Sequence, residues 1–181
     1  MQMMQTRGPV VPQAATQGPD TRAPRWAWVE ASIWSERMLA ALGNGVKGGK
    51  WFSLIDKVYR ATTLQAAWRR VKANRGAAGV DRQSVAAFER HAQAYLAELG
   101  QDLEQGRYQA QPIRRVEIPK GPNQMRPLGI PVVKDRIVQT AVKLVIEPIF
   151  EATFLDSSYG FRPQRSAHDA LRQVSRLLRE G

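Results

Sequence analysis

The feature that most constrains the fold is a change in hydrophobic period close to residue 113. Before it, apolar residues recur every three or four positions, whereas in residues 113–120 (IRRVEIPK) they alternate with polar ones. GPNQ at 121–124 favours a type I turn, and MRPLGI at 125–130 follows as a second strand. Because Pro119 and Pro127 cannot donate to a β-ladder, the resulting hairpin has to lie at a sheet edge or project from the body.

Helical patterns flank this hairpin on both sides. Upstream, the spacing predicts helices over residues 24–43, 53–74 and 84–100, with Thr62 and Thr63 as a candidate break that would divide the second in two. Downstream, VVKDRIVQTAVKLVIEPIF is the strongest helical segment, with Pro131 in its first turn and Pro148 closing or kinking it. The expected fold class is therefore α+β, mostly helical with a projecting β-hairpin.

The charge balance is strongly basic. The chain carries a formal net charge of +11, and 20 of its 27 basic residues are arginine. Such a balance attracts polyanions, and the planar guanidinium suits bidentate contacts with phosphate. Because there is no cysteine, thiol nucleophiles, disulfides and thiolate metal sites are excluded. No stretch is apolar for long enough to form a membrane span or a secretory signal, so we expect a cytoplasmic protein, with the bacterial nucleoid as an optional location.

Residues 157–171 (SSYGFRPQRSAHDAL) contain the side chains of a hydrolytic triad in one short segment. Ser166, His168 and Asp169 are nevertheless too close in sequence to converge, because residues two apart on a helix point to different sides. Ser166 and Asp169 instead fit a capping box, with Ser166 as the N-cap and Asp169 at the third helical position. We interpret the segment as a helix start, with His168 exposed in its first turn.

Arg162 and Arg165 precede this cap, and two interpretations of them stay open. A helix N-terminus offers free N–H groups to phosphate, and Tyr159 and Phe161 interleave with the arginines as on nucleic-acid surfaces. Alternatively, the segment is a solvated loop with buried aromatic rings.

No metal site, bound cofactor or catalytic centre is expected in the chain. A polymerase needs closely placed carboxylates for two divalent ions, and the 16 Asp and Glu residues include no paired acids on a predicted strand. Two histidines without any cysteine do not provide the usual ligand set of a zinc site.

The order of several short motifs is more informative than their composition. RPLGIP, KDRIVQ, EPIF and SSYGFRP follow one another within the run RRVEIPKGPNQMRPLGIPVVKDRIVQTAVKLVIEPIFEATFLDSSYGFRPQRSAHDAL. This run resembles the start of the reverse transcriptase domain of group II intron-encoded proteins. WFSLIDKVYRATTLQAAWRRVKANRGAAGVD resembles their N-terminal extension. The resemblance covers about residues 25–181 and implies an RNA-directed DNA polymerase that copies intron RNA and, as a maturase, assists its splicing.

In structural terms, the resemblance implies the fingers of the right-hand polymerase fold. With the Gly-, Pro- and Gln-rich residues 1–24 as a disordered leader, it divides the rest into a helical N-terminal extension (25–107) and a partial reverse transcriptase domain (108–181).

The resemblance also implies which residues bind substrates. Lys120 in IPK and Arg126 in RPL match the fingers residues that contact the triphosphate of the incoming dNTP. The other basic positions that we place near intron RNA or the template–primer backbone are Arg75, Arg114, Arg115, Lys134, Arg136, Arg162 and Arg165.

Two departures from the family pattern matter. In the N-terminal loop, Ala78 and Arg82 replace the proline and the second glycine of the family's NKGAPGVDG. The family's palm, with its catalytic aspartates and Mg²⁺, does not follow, so we expect an amino-terminal fragment without polymerase activity of its own. A separate palm-containing fragment is a candidate partner. The alternatives are a non-enzymatic RNA-binding module and a degenerate remnant.

Overall fold

The computed structural model describes residues 25–44 and 54–180, so the predicted leader at 1–24 lies outside the described residues. Within the described part, helices precede and follow a single antiparallel hairpin. In chain order the elements are α1 (Glu36–Asn44), α2 (Ile55–Tyr59), α3 (Ala61–Ala73), α4 (Val85–Glu89), α5 (Ala92–Glu104), β1 (Arg114–Gly121), β2 (Gln124–Ile130), α6 (Val133–Glu151) and α7 (Ala167–Glu180). The predicted α+β class is confirmed.

Packing of α6 against the upstream helices, above all α3, forms the hydrophobic core. Ile137, Ala141 and Val145 of α6 are fully buried. One cluster joins them to residues of α3, α4 and α5, so the core is shared across the predicted boundary between residues 107 and 108. The division into an extension and a reverse transcriptase domain stays a prediction.

The strongest predicted helix is confirmed, with differences at both ends. Val132 is the N-cap of α6, so Pro131 lies just before the helix instead of in its first turn. Pro148 does not close α6, which continues to Glu151. Because proline has no N–H, the Leu144 carbonyl lacks its helical donor. The indole of the buried Trp34 donates to that carbonyl instead, at 3.1 Å.

The first two predicted helices have other limits than expected. The first begins at Glu36 instead of residue 24, because residues 26–33 form turns. In these turns the Val29 N–H donates to the Trp26 carbonyl and the Ile33 N–H donates to the Glu30 carbonyl. The second is divided at Arg60, whose ψ of 137° interrupts the helical path between α2 and α3. Its predicted start at residue 53 lies outside the described residues.

The third predicted helix begins as expected but ends later. Ser84 Oγ accepts a hydrogen bond from the Ala87 N–H at 3.1 Å, and the helical path is then divided into α4 and α5. The predicted end at Gly100 is wrong, since α5 continues to Glu104. Gly100 lies inside α5, where a Cβ would be in ordinary van der Waals contact with Leu64 Cδ1 of α3, at 3.4 Å.

The predicted hairpin is confirmed and projects from the helical body. Ile118 stands opposite Arg126 in the register, and every residue of β2 before Ile130 is exposed. The prediction of a type I turn is wrong, because Asn123 has a φ of +58°. A type I turn needs about −90° there, whereas asparagine tolerates the left-handed region.

Asp135, in the first turn of α6, holds the base of the hairpin. It is 3% exposed. It accepts hydrogen bonds from the Tyr108 hydroxyl at 2.6 Å and from the Gln111 N–H at 2.9 Å. These bonds tie the segment that leads into β1 to the helix that follows β2, so both strands leave the body from one point.

The loop at 74–82 lies against the junction of β2 and α6. A Cβ on Gly79 would stand 2.7 Å from the backbone N and Cα of Val132, so only glycine fits this approach. Arg82, which replaces the family's glycine, has a φ of +57°. This left-handed conformation costs an L-residue with a side chain about 1 to 2 kcal/mol.

The last helix, α7, has no buried residue. Across residues 25–44 and 54–180, none of the helices combines the length and the apolar character that a membrane span requires.

We predict that Tyr108→Phe lowers the free energy of unfolding by about 1.5 to 3 kcal/mol, since it removes a hydrogen bond to a buried carboxylate. Chemical denaturation measures this. Tyr59→Phe is the matched control, because the Tyr59 hydroxyl has no hydrogen-bond partner among the described residues.

The stability that Tyr108 contributes also depends on pH. Burial, followed by the hydrogen bond to Asp135, raises the pKa of Tyr108. Because this pKa is higher in the folded than in the unfolded state, the hydroxyl contributes stability that is fully present below the unfolded pKa of about 10. That contribution is lost as the pH rises through the folded-state pKa. If Tyr108→Phe and Tyr59→Phe lowered the free energy of unfolding equally at neutral pH, the anchoring role of Tyr108 would be contradicted.

We predict that Arg82→Gly raises the free energy of unfolding by about 1 kcal/mol, because glycine adopts a positive φ without strain. Gln83→Gly, at the next position and without a positive φ, should be neutral or destabilising. Thermal melting of both variants tests this. The strain is absent if Arg82→Gly behaves like Gln83→Gly.

Candidate nucleotide and nucleic-acid interface

The two residues predicted to bind the triphosphate lie near the tip of the hairpin. Arg126 stands opposite Ile118, and Lys120 falls where the register is irregular and β1 has one residue more than β2. Both side chains are exposed, and neither pairs with an acidic side chain of the described residues. An anion can therefore approach both cations without displacing an ion pair.

Two further predicted residues lie at the base of the hairpin, on opposite faces. Arg114 stands opposite Ile130 and is half-buried, and its Nε is buried without a hydrogen-bond partner among the described residues. Arg115 is exposed and pairs with Glu117 on its own strand at 3.0 Å. The base thus carries one partly enclosed and one solvent-facing guanidinium.

Arg136 connects α6 to the 74–82 loop. Its Nη2 donates to the Ala77 carbonyl at 2.7 Å, and a Cβ on Gly76 would stand 2.5 Å from its Nη1. Burial lowers the pKa of Arg136, although the nearby Asp81 opposes this. Arg75 in the same loop is exposed, has a φ of +45°, and has no acidic partner in the described part of the chain.

Lys134, in the first turn of α6, already has partners on α5. Its Nζ pairs with Glu98 of α5 at 3.1 Å and lies 5.4 Å from the centroid of the Tyr95 ring. The hairpin base, the 74–82 loop and the start of α6 meet at one junction. The predicted cations on these three elements are Arg75, Arg114, Arg115, Lys134 and Arg136.

Arg162 lies inside the protein. Its side chain is 3% exposed and forms a buried ion pair with Glu151, the last residue of α6, at 2.5 Å. Its Nη1 also donates to the carbonyl oxygens of Leu155 at 2.6 Å and Ser158 at 2.8 Å. The hydrogen bonds to Glu151 raise the pKa of Arg162. The guanidinium is thus turned away from solvent, and the structure gives it a scaffolding role.

The loop around Arg162 combines elements of both open interpretations. Arg165 is held by Asp156, with Nη2 at 2.9 Å from Oδ1, and its guanidinium lies 5.3 Å from the Tyr159 ring centroid. Phe161, which the solvated-loop interpretation buries, is fully exposed at a φ of +57°. An arginine therefore faces inward, and a phenylalanine faces outward.

The predicted capping box is present. The Asp169 N–H donates to Ser166 Oγ at 3.2 Å, and the Ser166 N–H donates to Asp169 Oδ2 at 2.9 Å. The Ser166 hydroxyl holds the pKa of Asp169 below its usual range, with Arg172 contributing less. His168 is exposed, as predicted. These contacts make the segment a helix start and not a hydrolytic site.

Sequence reasoning missed three residues that position this interface: Asp135, Tyr108 and Glu151. The only local feature that could have singled out Asp135 is its position, as an acidic residue in the first turn of the most apolar helix. Glu151 carries no such signal, since an acid at a helix C-terminus opposes the helix dipole. Within the described residues, no group of three or more His, Asp or Glu side chains could hold a metal ion.

Similarity to known proteins supports the family suggested by the motifs. The chain has homologues among group II intron-encoded proteins and intron maturases. It is 49% identical to the group II intron-encoded protein LtrA of Lactococcus lactis over 77 residues, which cover 42% of this chain and 13% of LtrA. It is 46% identical over 43 residues to nuclear intron maturase 2 of Arabidopsis thaliana, covering 24% of this chain and 6% of that protein.

A further relative is the protein YkfC of Escherichia coli, 46% identical over 100 residues, which cover 55% of this chain and 26% of YkfC. The chain thus spans about a quarter or less of the length of these relatives. No protein-family model matches it.

We predict that Glu151→Gln and Arg162→Gln each lower the free energy of unfolding by about 3 to 5 kcal/mol, since each leaves an unpaired buried charge. The double variant should cost less than the sum of the two. Lys143→Gln is the control, because it removes the exposed partner of the Lys143–Glu147 pair, with an expected cost below about 1 kcal/mol.

Denaturation of the four variants measures these costs. If Arg162 instead served nucleic acid at the surface, Glu151→Gln would leave the stability unchanged and Arg162→Gln alone would weaken RNA binding.

Proposed function

We propose that the described part of the chain is the fingers of an RNA-directed DNA polymerase of the group II intron type, which binds substrates for reverse transcription and intron splicing. In this proposal the hairpin binds the triphosphate of the incoming dNTP through Lys120 and Arg126. The cations around the hairpin base contact intron RNA or the template–primer backbone. No bond-forming step is assigned to the described residues.

The observation that carries the proposal is the exposed hairpin with two unpaired cations near its tip. A projecting ribbon can reach over a bound nucleotide, and cations without partners bind phosphate oxygens without first breaking an ion pair. The anchoring of both strands at Asp135 keeps this reach fixed relative to α6.

The names of the relatives support RNA as the polyanion that the chain binds. LtrA is described as intron-encoded, and the Arabidopsis protein as an intron maturase, so a role with intron RNA is consistent with both. The net charge of +11 acts in the same direction, since it raises the local concentration of any nucleic acid.

We predict that Lys120→Ala combined with Arg126→Ala weakens binding of a labelled dNTP, measured with Mg²⁺ and an RNA template–primer, by tenfold or more. The basis is that each charge-assisted hydrogen bond contributes about 1.5 to 3 kcal/mol, and 1.4 kcal/mol is tenfold. Arg37→Ala with Arg90→Ala is the control, because both residues are exposed and have no acidic partner within the described ranges.

Inorganic tripolyphosphate should compete with the dNTP for the wild-type protein and not for the hairpin variant. Unchanged dNTP affinity in the hairpin variant would overturn the assignment of the triphosphate site. Binding of the template–primer without any binding of dNTP would favour the alternative of a non-enzymatic RNA-binding module.

A further inference from the structure

The helix α7 has two unlike faces, and the functions described above use neither. At about 100° per residue, its large apolar side chains and its arginines fall on opposite sides of the helix. The apolar face consists of Leu171, Val174, Leu177 and Leu178, all more than half exposed. The opposite face carries Arg172, Arg176 and Arg179, here called the arginine stripe.

The arginine stripe is open to solvent and only weakly neutralised. The Arg172 side chain is 76% exposed and pairs with Asp169 at 2.8 Å, a carboxylate that already accepts the capping bonds of Ser166. Arg176 Nε lies 4.0 Å from Glu180, and Arg179 has no acidic partner among the described residues. Such exposed pairs contribute at most about 1 kcal/mol, so an incoming phosphate can replace the carboxylates.

We infer that the arginine stripe binds the phosphate backbone of RNA, as a contact additional to the hairpin and its base. This rests on the proposed function, in which the chain handles RNA. All three cations are arginines, whose planar forks hold phosphate oxygens bidentately. The stripe is about 10 Å long at 1.5 Å per residue, so a short run of backbone phosphates can lie along it.

An anionic membrane is the competing partner, because an interfacial helix buries its apolar face in the lipid and carries Lys and Arg on its polar face. The names of the relatives, an intron-encoded protein and an intron maturase, favour RNA. The arginine stripe lies opposite the apolar face, so a protein segment that covers the apolar side would leave the stripe accessible to RNA.

The test compares two triple variants by fluorescence anisotropy with labelled poly(U) over a range of salt concentrations. The stripe variant is Arg172→Gln, Arg176→Gln and Arg179→Gln, in which glutamine preserves helix propensity. The control removes the same charge from exposed arginines that also have an acidic partner: Arg60→Gln, Arg69→Gln and Arg107→Gln. Circular dichroism checks that both are folded.

The stripe variant should reduce the magnitude of the slope of log affinity against log salt by about 2, at roughly 0.7 per lost phosphate contact on a single strand. Equal slopes for stripe and control variants would overturn the inference. If the wild-type protein shows no salt-dependent binding of poly(U) at all, the proposed function itself fails. This outcome differs from equal slopes, which overturn only the role of the stripe. Loss of binding to phosphatidylserine vesicles, with an unchanged RNA slope, would assign the stripe to a membrane.

A second measurement does not depend on removing charge. Arg172→Lys, Arg176→Lys and Arg179→Lys keep the positive face and introduce amines that acetylating reagents modify. Bound poly(U) should protect these three positions from acetylation, read by mass spectrometry. In the control variant Arg60→Lys, Arg69→Lys and Arg107→Lys, the substituted positions should stay reactive. Equal reactivity with and without RNA would overturn the inference.

Discussion

Burial of α6 is the constraint on which the rest of the structure depends. Its apolar face closes the core against the upstream helices, and its one proline makes a specific demand. Because Pro148 leaves the Leu144 carbonyl without a helical donor inside the protein, another donor has to be supplied there. The indole of Trp34 supplies it, and the segment before α1 is thereby fixed to the centre of the fold.

The two ends of α6 carry the buried carboxylates of the described residues, and each carboxylate orders one neighbouring segment. Asp135 lies in the first turn, where the helix dipole favours an anion, and neutral donors from Tyr108 and Gln111 are enough to hold it. Glu151 lies at the opposite end, where the dipole is unfavourable, and it is matched by a full charge from Arg162. One helix thus positions both the hairpin and the loop that leads to α7.

This arrangement divides the arginines and lysines by role. Those with internal partners, such as Arg162 and Arg136, hold loops in place, while those at the periphery, such as Lys120, Arg126 and Arg75, keep their charge available. A high content of basic residues therefore does not by itself mark an interface. At the hairpin tip, Lys120 and Arg126 lie on a fixed element without a carboxylate beside them, and this is why the proposed function rests on them.

The sequence by itself determined the features whose partners are close in the chain. The change of period specified the hairpin, and Ser166 and Asp169, three residues apart, specified the start of α7. Only the tertiary structure decided the features whose partners are distant or whose sidedness depends on packing. Trp34 meets a carbonyl 110 residues away, the break between α2 and α3 falls at Arg60 and not at Thr62 and Thr63, and Arg162 turns inward while Phe161 turns outward. The physical reason is that periodicity and capping are local interactions, whereas the burial of a charge or an indole is favourable only where the fold brings a matching partner to it.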